Sequence, residues 1–212
     1  MLRDYHFTFT ALRDHENAEE FLREQGLPAA FIRHLRAHNE DLLISGNPSP
    51  TNAPLTAGQE VGIILHELIS ENILPVKLEV EVLYEDQQLL LASKPAGMSS
   101  IPSRMHYDDT LANWYMYYSG SNAGFHCLTR LDGSTSGLIL IARNRLAAEW
   151  TRKTISKQYL ALVSGRTADQ GVINAAISRI DSSIKRTISE TGQSAITEYD
   201  LLEYFPQQDI SL

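Results

Sequence analysis

The stretch RLDGSTSGLILIAR at residues 130–143 carries the most information about this chain. Its second half, GLILIAR, is an apolar run of strand length, too short for a buried helix. The residues before it, HCLTRLD at 126–132, predict a short strand with a polar end. That strand would place Arg130 and Asp132 on one face, two residues apart. Gly133, Ser134, Thr135, Ser136 and Gly137 then make a turn that the following strand anchors to the core. An arginine beside a carboxylate keeps it ionised, and it can also grip a phosphate. Taken alone, the signal is weak, because arginine–aspartate pairs are usually structural.

Working outward, VEVLYEDQQLLLAS predicts a strand pair turning at Glu85–Gln88, and KPAGM ends it with a proline and a glycine. DTLANWYMYY at 109–118 has helical spacing with Thr110 near its start, and NRLAAEWTRKTIS has Asn144 as a cap. KQYLALVSG at 157–165 and SAITEYDLLEYF at 194–205 predict two further strands. Toward the N-terminus the order is helix, helix, strand, strand: HENAEEFLREQG, LPAAFIRHLRAHN, DLLISG and EVGIILH. The prediction is α+β: a small αα-ββ domain over 1–75, then a larger, mostly antiparallel domain over 76–212.

The composition is that of a globular protein, with 43% hydrophobic and 21% charged residues. No apolar run approaches the ~18 residues of a membrane span, and the start, MLRDYHFTFT, lacks the pattern of a signal peptide. A soluble, cytoplasmic protein is expected. The single cysteine, Cys127, excludes an internal disulfide framework and any multi-cysteine metal site. Beside His126 it is read as packing rather than as a nucleophile. His34 and His38, spaced i, i+4, lack the glutamate and further ligands of a metalloprotease helix and are read as surface residues. GSTSG centres on threonine, and all seven histidines precede it, which argues against a serine hydrolase.

Net charge is −8, yet it is unevenly spread. Residues 1–80 hold 6 basic and 12 acidic side chains, a net of −6, whereas 130–186 hold 10 basic and 4 acidic, a net of +6. Local potential governs contact with phosphate backbones, so the second stretch is a candidate nucleic-acid surface.

These residues resemble a known family. RLDGSTSGLILIAR is similar to the hallmark Arg-Leu-Asp-x-x-Thr-Ser-Gly-Leu segment of pseudouridine synthases that act on large-subunit ribosomal RNA and transfer RNA. LYEDQQLLLASKPAGM at 83–98 resembles that family's opening strand pair with Lys-Pro-x-Gly. KQYLALVSG resembles its Lys-x-Tyr strand, and Ile177, Arg179 and GQSAITEY at 192–199 resemble two later segments. More loosely, 15–68 resembles a small RNA-binding domain first met in a ribosomal protein. The resemblance implies isomerisation of a uridine in structured RNA, ribosomal or transfer, after base flipping, without cofactor or metal. Asp132 would be the nucleophile. Arg130 would pair with it and hold the space left by the base, and Tyr159 would stack on the base and help remove the C5 proton. Lys157 would be a supporting cation, and Thr135, Ser136 and Gly137 would shape the loop. Arg143, Arg145, Arg152, Lys153, Arg179 and Arg186 would meet RNA, the first four near Asp132.

Two departures set further expectations. Gln193 stands where the family has lysine, removing one cation. The family continues beyond its Ala-x-Thr-x-Tyr strand into an arginine-bearing strand, and this sequence stops at Leu212 before one. The catalytic domain is therefore expected to be incomplete, with an open sheet edge prone to self-association. The alternative function is a truncated relative that binds RNA without turnover.

Overall fold

A computed structural model describes residues 2–121, 123–179 and 186–212. Asp181 and Lys185, counted in the charge above, lie outside the described residues. The chain forms two compact units, one ending at Ile155 and one spanning Ser156–Leu212. Every described strand pair is antiparallel, as the α+β reading requires.

The first unit opens with a strand, β1 (Leu2–Thr10), where the sequence reading began with a helix. Tyr5 and Phe7 face the core between exposed Asp4, His6 and Thr8, the two-residue period of a strand with one wet face. Helices α1 (Ala18–Glu24) and α2 (Ala29–Ala37) follow, then β2 (Leu42–Ile44), β3 (Asn47–Pro48) and β4 (Glu60–Leu68). Asn17 caps α1 by accepting from the Glu20 amide at 2.8 Å, and Gly26, at φ +77°, turns the chain out of it. The sheet order is β1-β4-β2-β3, with β1 and β4 in register from Leu2↔Leu68 to Thr10↔Glu60. Phe21, Leu22, Ile32 and Leu35 pack from the helices against Leu42, Val61, Ile63 and Leu65.

A second sheet, ordered β5-β6-β8-β7, is built from β5 (Glu81–Glu85), β6 (Leu89–Lys94), β7 (His126–Cys127) and β8 (Gly137–Ala142). The β5–β6 turn closes where expected, because Asp86 Oδ1 accepts from the amides of Gln88 and Leu89, each at 2.7 Å. Helix α3 (Leu111–Tyr118) covers the sheet, with Leu111, Trp114 and Tyr115 on Leu90, Ile139 and Ile141. Helix α4 (Arg145–Arg152) begins at Asn144, whose Oδ1 accepts from the Ala147 amide at 2.9 Å.

The N-terminal sheet is continuous with the rest of this unit. Leu146 belongs to its core, and Trp150 packs edge-on against Phe7 and Phe9 at 5.6 and 6.5 Å. Buried Glu67 accepts from the Arg145 amide at 2.9 Å and meets His126 Nε2 at 2.8 Å. A carboxylate there also suits the positive end of α4. Among the described residues, no helix is long and apolar enough to cross a membrane.

The second unit holds β9 (Val163–Ser164), β10 (Gln170–Asn174), β11 (Ile177–Arg179), β12 (Arg186–Ile188), β13 (Ile196–Asp200), β14 (Tyr204–Phe205) and β15 (Ile210–Ser211). They form the pairs β10-β13 and β11-β12 and the three-stranded β14-β15-β9. The strand expected over 157–165 is confined to Val163–Ser164. Residues 157–162 are exposed, with no described strand alongside to accept their ladder. The strand expected over 194–205 is divided between β13 and β14, which belong to different sheets.

Candidate active site

Asp132 stands in the loop between β7 and β8. The expected strand through Asp132 ends at Cys127, because side chains replace the ladder beyond it: Thr129 Oγ1 takes the Leu140 amide at 3.0 Å. Arg130 and Asp132 therefore do not share a pleated face. Both are exposed, and among the described residues no ion pair is seen between them.

The loop is instead held from below. The Thr135 amide donates to the Asp132 carbonyl at 3.0 Å, closing a four-residue turn. The Gly97 amide donates to the Gly133 carbonyl at 2.8 Å. Ser100 Oγ donates to the Leu131 carbonyl at 2.7 Å and accepts from the Leu131 amide at 3.2 Å. Residues flanking Asp132 are thus tied to the segment after β6, while its carboxylate is left facing solvent.

The partner that sequence reading missed is Lys94. It sits opposite Gly137 in the β6–β8 register and has no exposed surface. Its Nζ donates to the carbonyls of Met98 at 2.6 Å and Pro95 at 2.9 Å, and lies 3.4 Å from that of Gly133. Burial pushes its pKa down, and the charge of nearby Asp132 opposes that shift. The available signal was Lys-Pro-x-Gly itself, read above only as part of a resemblance.

Thr135 is half-buried, Ser136 is exposed, and Gly137 takes φ +135° where β8 begins, a conformation that favours glycine. Cys127 is packing: its Sγ donates to the Thr129 carbonyl at 3.0 Å, and burial pushes the thiol pKa up to about 11. Lys157 and Tyr159 lie in the second unit, both exposed on the strandless stretch.

The cations are dispersed. Arg143 forms an ion pair with Glu85 and is 16% exposed, so its charge is already committed. Arg145 lies over the Phe31 ring at 5.9 Å. Both follow the Ala142 end of β8, five residue steps from Gly137, or about 16 Å along the strand. They are not beside the Asp132 turn as expected. Arg152 is exposed at the end of α4, and Lys153 is 3.9 Å from Glu149. Arg179 and Arg186 face each other across β11–β12.

A family profile described as RNA pseudouridylate synthase matches residues 88–212, which include both segments tied together around Asp132. The chain belongs to this family. A pseudouridylate synthase relative from Bacillus subtilis (strain 168), the uncharacterized RNA pseudouridine synthase YjbO, is 32% identical over 85% of this chain and 68% of its own length. Ribosomal large subunit pseudouridine synthase D of Xylella fastidiosa (strain Temecula1 / ATCC 700964) is 29% identical over 78% of this chain, but the match spans 53% of that protein. The fold is similar to human RNA pseudouridylate synthase domain containing 1, with a TM-score of 0.50 and 24% identity over 63% of this chain and 57% of that one.

Proposed function

We propose that the chain is the Asp132-bearing part of an RNA pseudouridine synthase that isomerises a uridine in structured RNA, ribosomal or transfer. The observation that carries this reading is the Asp132 turn: an exposed carboxylate on a loop fixed by Ser100, Gly97 and Lys94. A carboxylate so placed is free to attack and is held in position while doing so. In the proposed reaction the N-glycosidic bond breaks, the uracil turns and a bond forms to its C5. The C5 proton leaves and N1 regains one, so no atom is gained or lost.

Flipping the base out of its stack costs a few kcal/mol, which phosphate contacts offset. Arg152, Lys153 and Arg186 are exposed and suit such contacts, and Arg130 lies two residues from Asp132. Tyr159 and Lys157 are proposed to act on the base. Residues 1–75 are proposed as an RNA-binding module preceding the catalytic domain, and the site of action as the cytoplasm. The exposed stretch at 157–162 favours a second reading, RNA binding without turnover.

Tritium release from C5 of labelled uridine in RNA, beside filter binding, tests both. With the catalytic domain whole, tritium release is expected from the wild type and none from Asp132→Asn, with RNA affinity kept within a few fold. Release by the asparagine variant sinks the nucleophile assignment. Binding without release by the wild type selects the second reading.

A further inference from the structure

We propose that His15, Glu20 and Glu24 form a binding site for one divalent transition-metal ion of the Zn2+ type, independent of the Asp132 site. The His15 side chain is 2% exposed, and its Nδ1 is buried with no hydrogen-bond partner. A buried ring nitrogen left in that state is costly, which points to something it binds. It lies 3.9 Å from Oε2 of Glu20 and 3.9 Å from Oε2 of Glu24. All three ligand atoms lie within 4.8 Å of one another.

A separation of 3.9 Å is too long for a hydrogen bond. It is close to that of two atoms sharing an ion. Bonds of about 2.0–2.2 Å at a tetrahedral angle put ligand atoms ~3.4 Å apart. Each carboxylate therefore needs to close on His15 by roughly half an ångström, and both sit on partly exposed, flexible side chains.

The frame is firm. His15 and Leu55 exchange backbone hydrogen bonds at 2.9 and 3.1 Å, and the imidazole stands edge-on to Phe21 at 5.2 Å. Glu20 and Glu24 are four apart on α1, so their charges repel unless a cation lies between them. Arg13 binds Oε1 of Glu24 at 2.5 Å, orienting that carboxylate while leaving Oε2 toward His15. An imidazole with two carboxylates suits Zn2+, whereas Mg2+ and Ca2+ favour all-oxygen sites. Bound there, the ion would clip α1 to the His15–Leu55 bridge.

Chelator-treated full chain is titrated with ZnCl2 by calorimetry at pH 7.5, and with CoCl2 by visible absorption. One equivalent of Zn2+ is expected, with the intense absorption of tetrahedral Co2+. Glu20→Gln/Glu24→Gln is expected to weaken binding by about 30-fold or more, since two of three ligands lose their charge. Both carboxylates are partly exposed, so this variant keeps the fold where a change at His15 endangers it, and circular dichroism checks that. His34→Gln/His38→Gln, which removes the tilted ring pair at the C-terminal end of α2, should bind as the wild type does. Failure of either ion to bind overturns the proposal. So does binding unchanged by the carboxylate substitutions, or binding abolished by those at His34 and His38.

Discussion

Lys94 is a fully buried cation whose ammonium group reaches carbonyls of the segment after β6, Pro95 and Met98, and that of Gly133 in the Asp132 turn. Replacing it with methionine keeps the volume and removes the donors, leaving buried carbonyl oxygens short of a partner. Lys94→Met is expected to lower stability by about 1–3 kcal/mol in chemical denaturation. It should also speed amide exchange at Gly97 and Thr135, which hold the turn. Protection unchanged at both amides would show that Lys94 does not support the loop. Cys127 makes the opposite case, a reactive residue type made inert. With its pKa pushed to about 11 by burial, only about one molecule in a thousand carries a thiolate at pH 8. Alkylation by iodoacetamide should accordingly run at least ~100-fold slower than for a free exposed thiol, and it should reach the ordinary rate only in denaturant. The packing role of Cys127 was legible in the sequence, because a thiol on a short apolar strand has few other uses. The burial of Lys94 was not, since lysine is rarely buried and nothing local announces three carbonyls around it.

Elements with local signals were read well, and elements defined by distant partners were not. Thr110 and Asn144 mark the starts of α3 and α4 because a cap is satisfied within three residues. Strand β1 depends on β4, some fifty residues away, and residues 157–162 carry strand-like composition without a described partner. The element scale also holds a pH-sensitive link. Buried Asp41, in the turn after α2, meets His34 Nε2 and His66 Nε2, each at 2.9 Å, and His66 on β4 also meets Asp4 of β1 at 2.6 Å. Hydrogen bonds to Asp4 and then Asp41 raise the His66 pKa above its ordinary 6.5. The stabilisation is therefore complete below about pH 6.5 and is lost as pH rises through the raised value. The melting temperature of the N-terminal sheet should fall as pH rises above about 6.5, and His66→Gln should flatten that slope. An equal slope in the variant would assign the effect elsewhere.

Across the whole molecule the two units differ in how they are held. Residues up to Ile155 carry extensive buried cores, whereas Ser211 is the single buried residue among those described in 156–212. Two-stranded sheets with exposed Val172, Ile173 and Ile196 are marginal alone, and Leu160 and Leu162 are exposed on the strandless stretch before them. Limited proteolysis should cut first within 156–212 and leave a fragment near residue 155. Sedimentation of the intact chain should show concentration-dependent association that this fragment lacks. Resistance of 156–212 together with a monomeric chain would overturn both expectations. The first unit behaves differently because Trp150 and Leu146 of α4 are embedded in the N-terminal core. Among the described residues, the N-terminal sheet and the helix that follows β8 share one core. The unit is therefore a calliper of fixed gauge: for any RNA gripped by both the N-terminal sheet and the Asp132 turn, fold geometry sets the span between grip and uridine. Targets would then be sorted by measured length, and adding one base pair between the two contacts would spoil an otherwise perfect site.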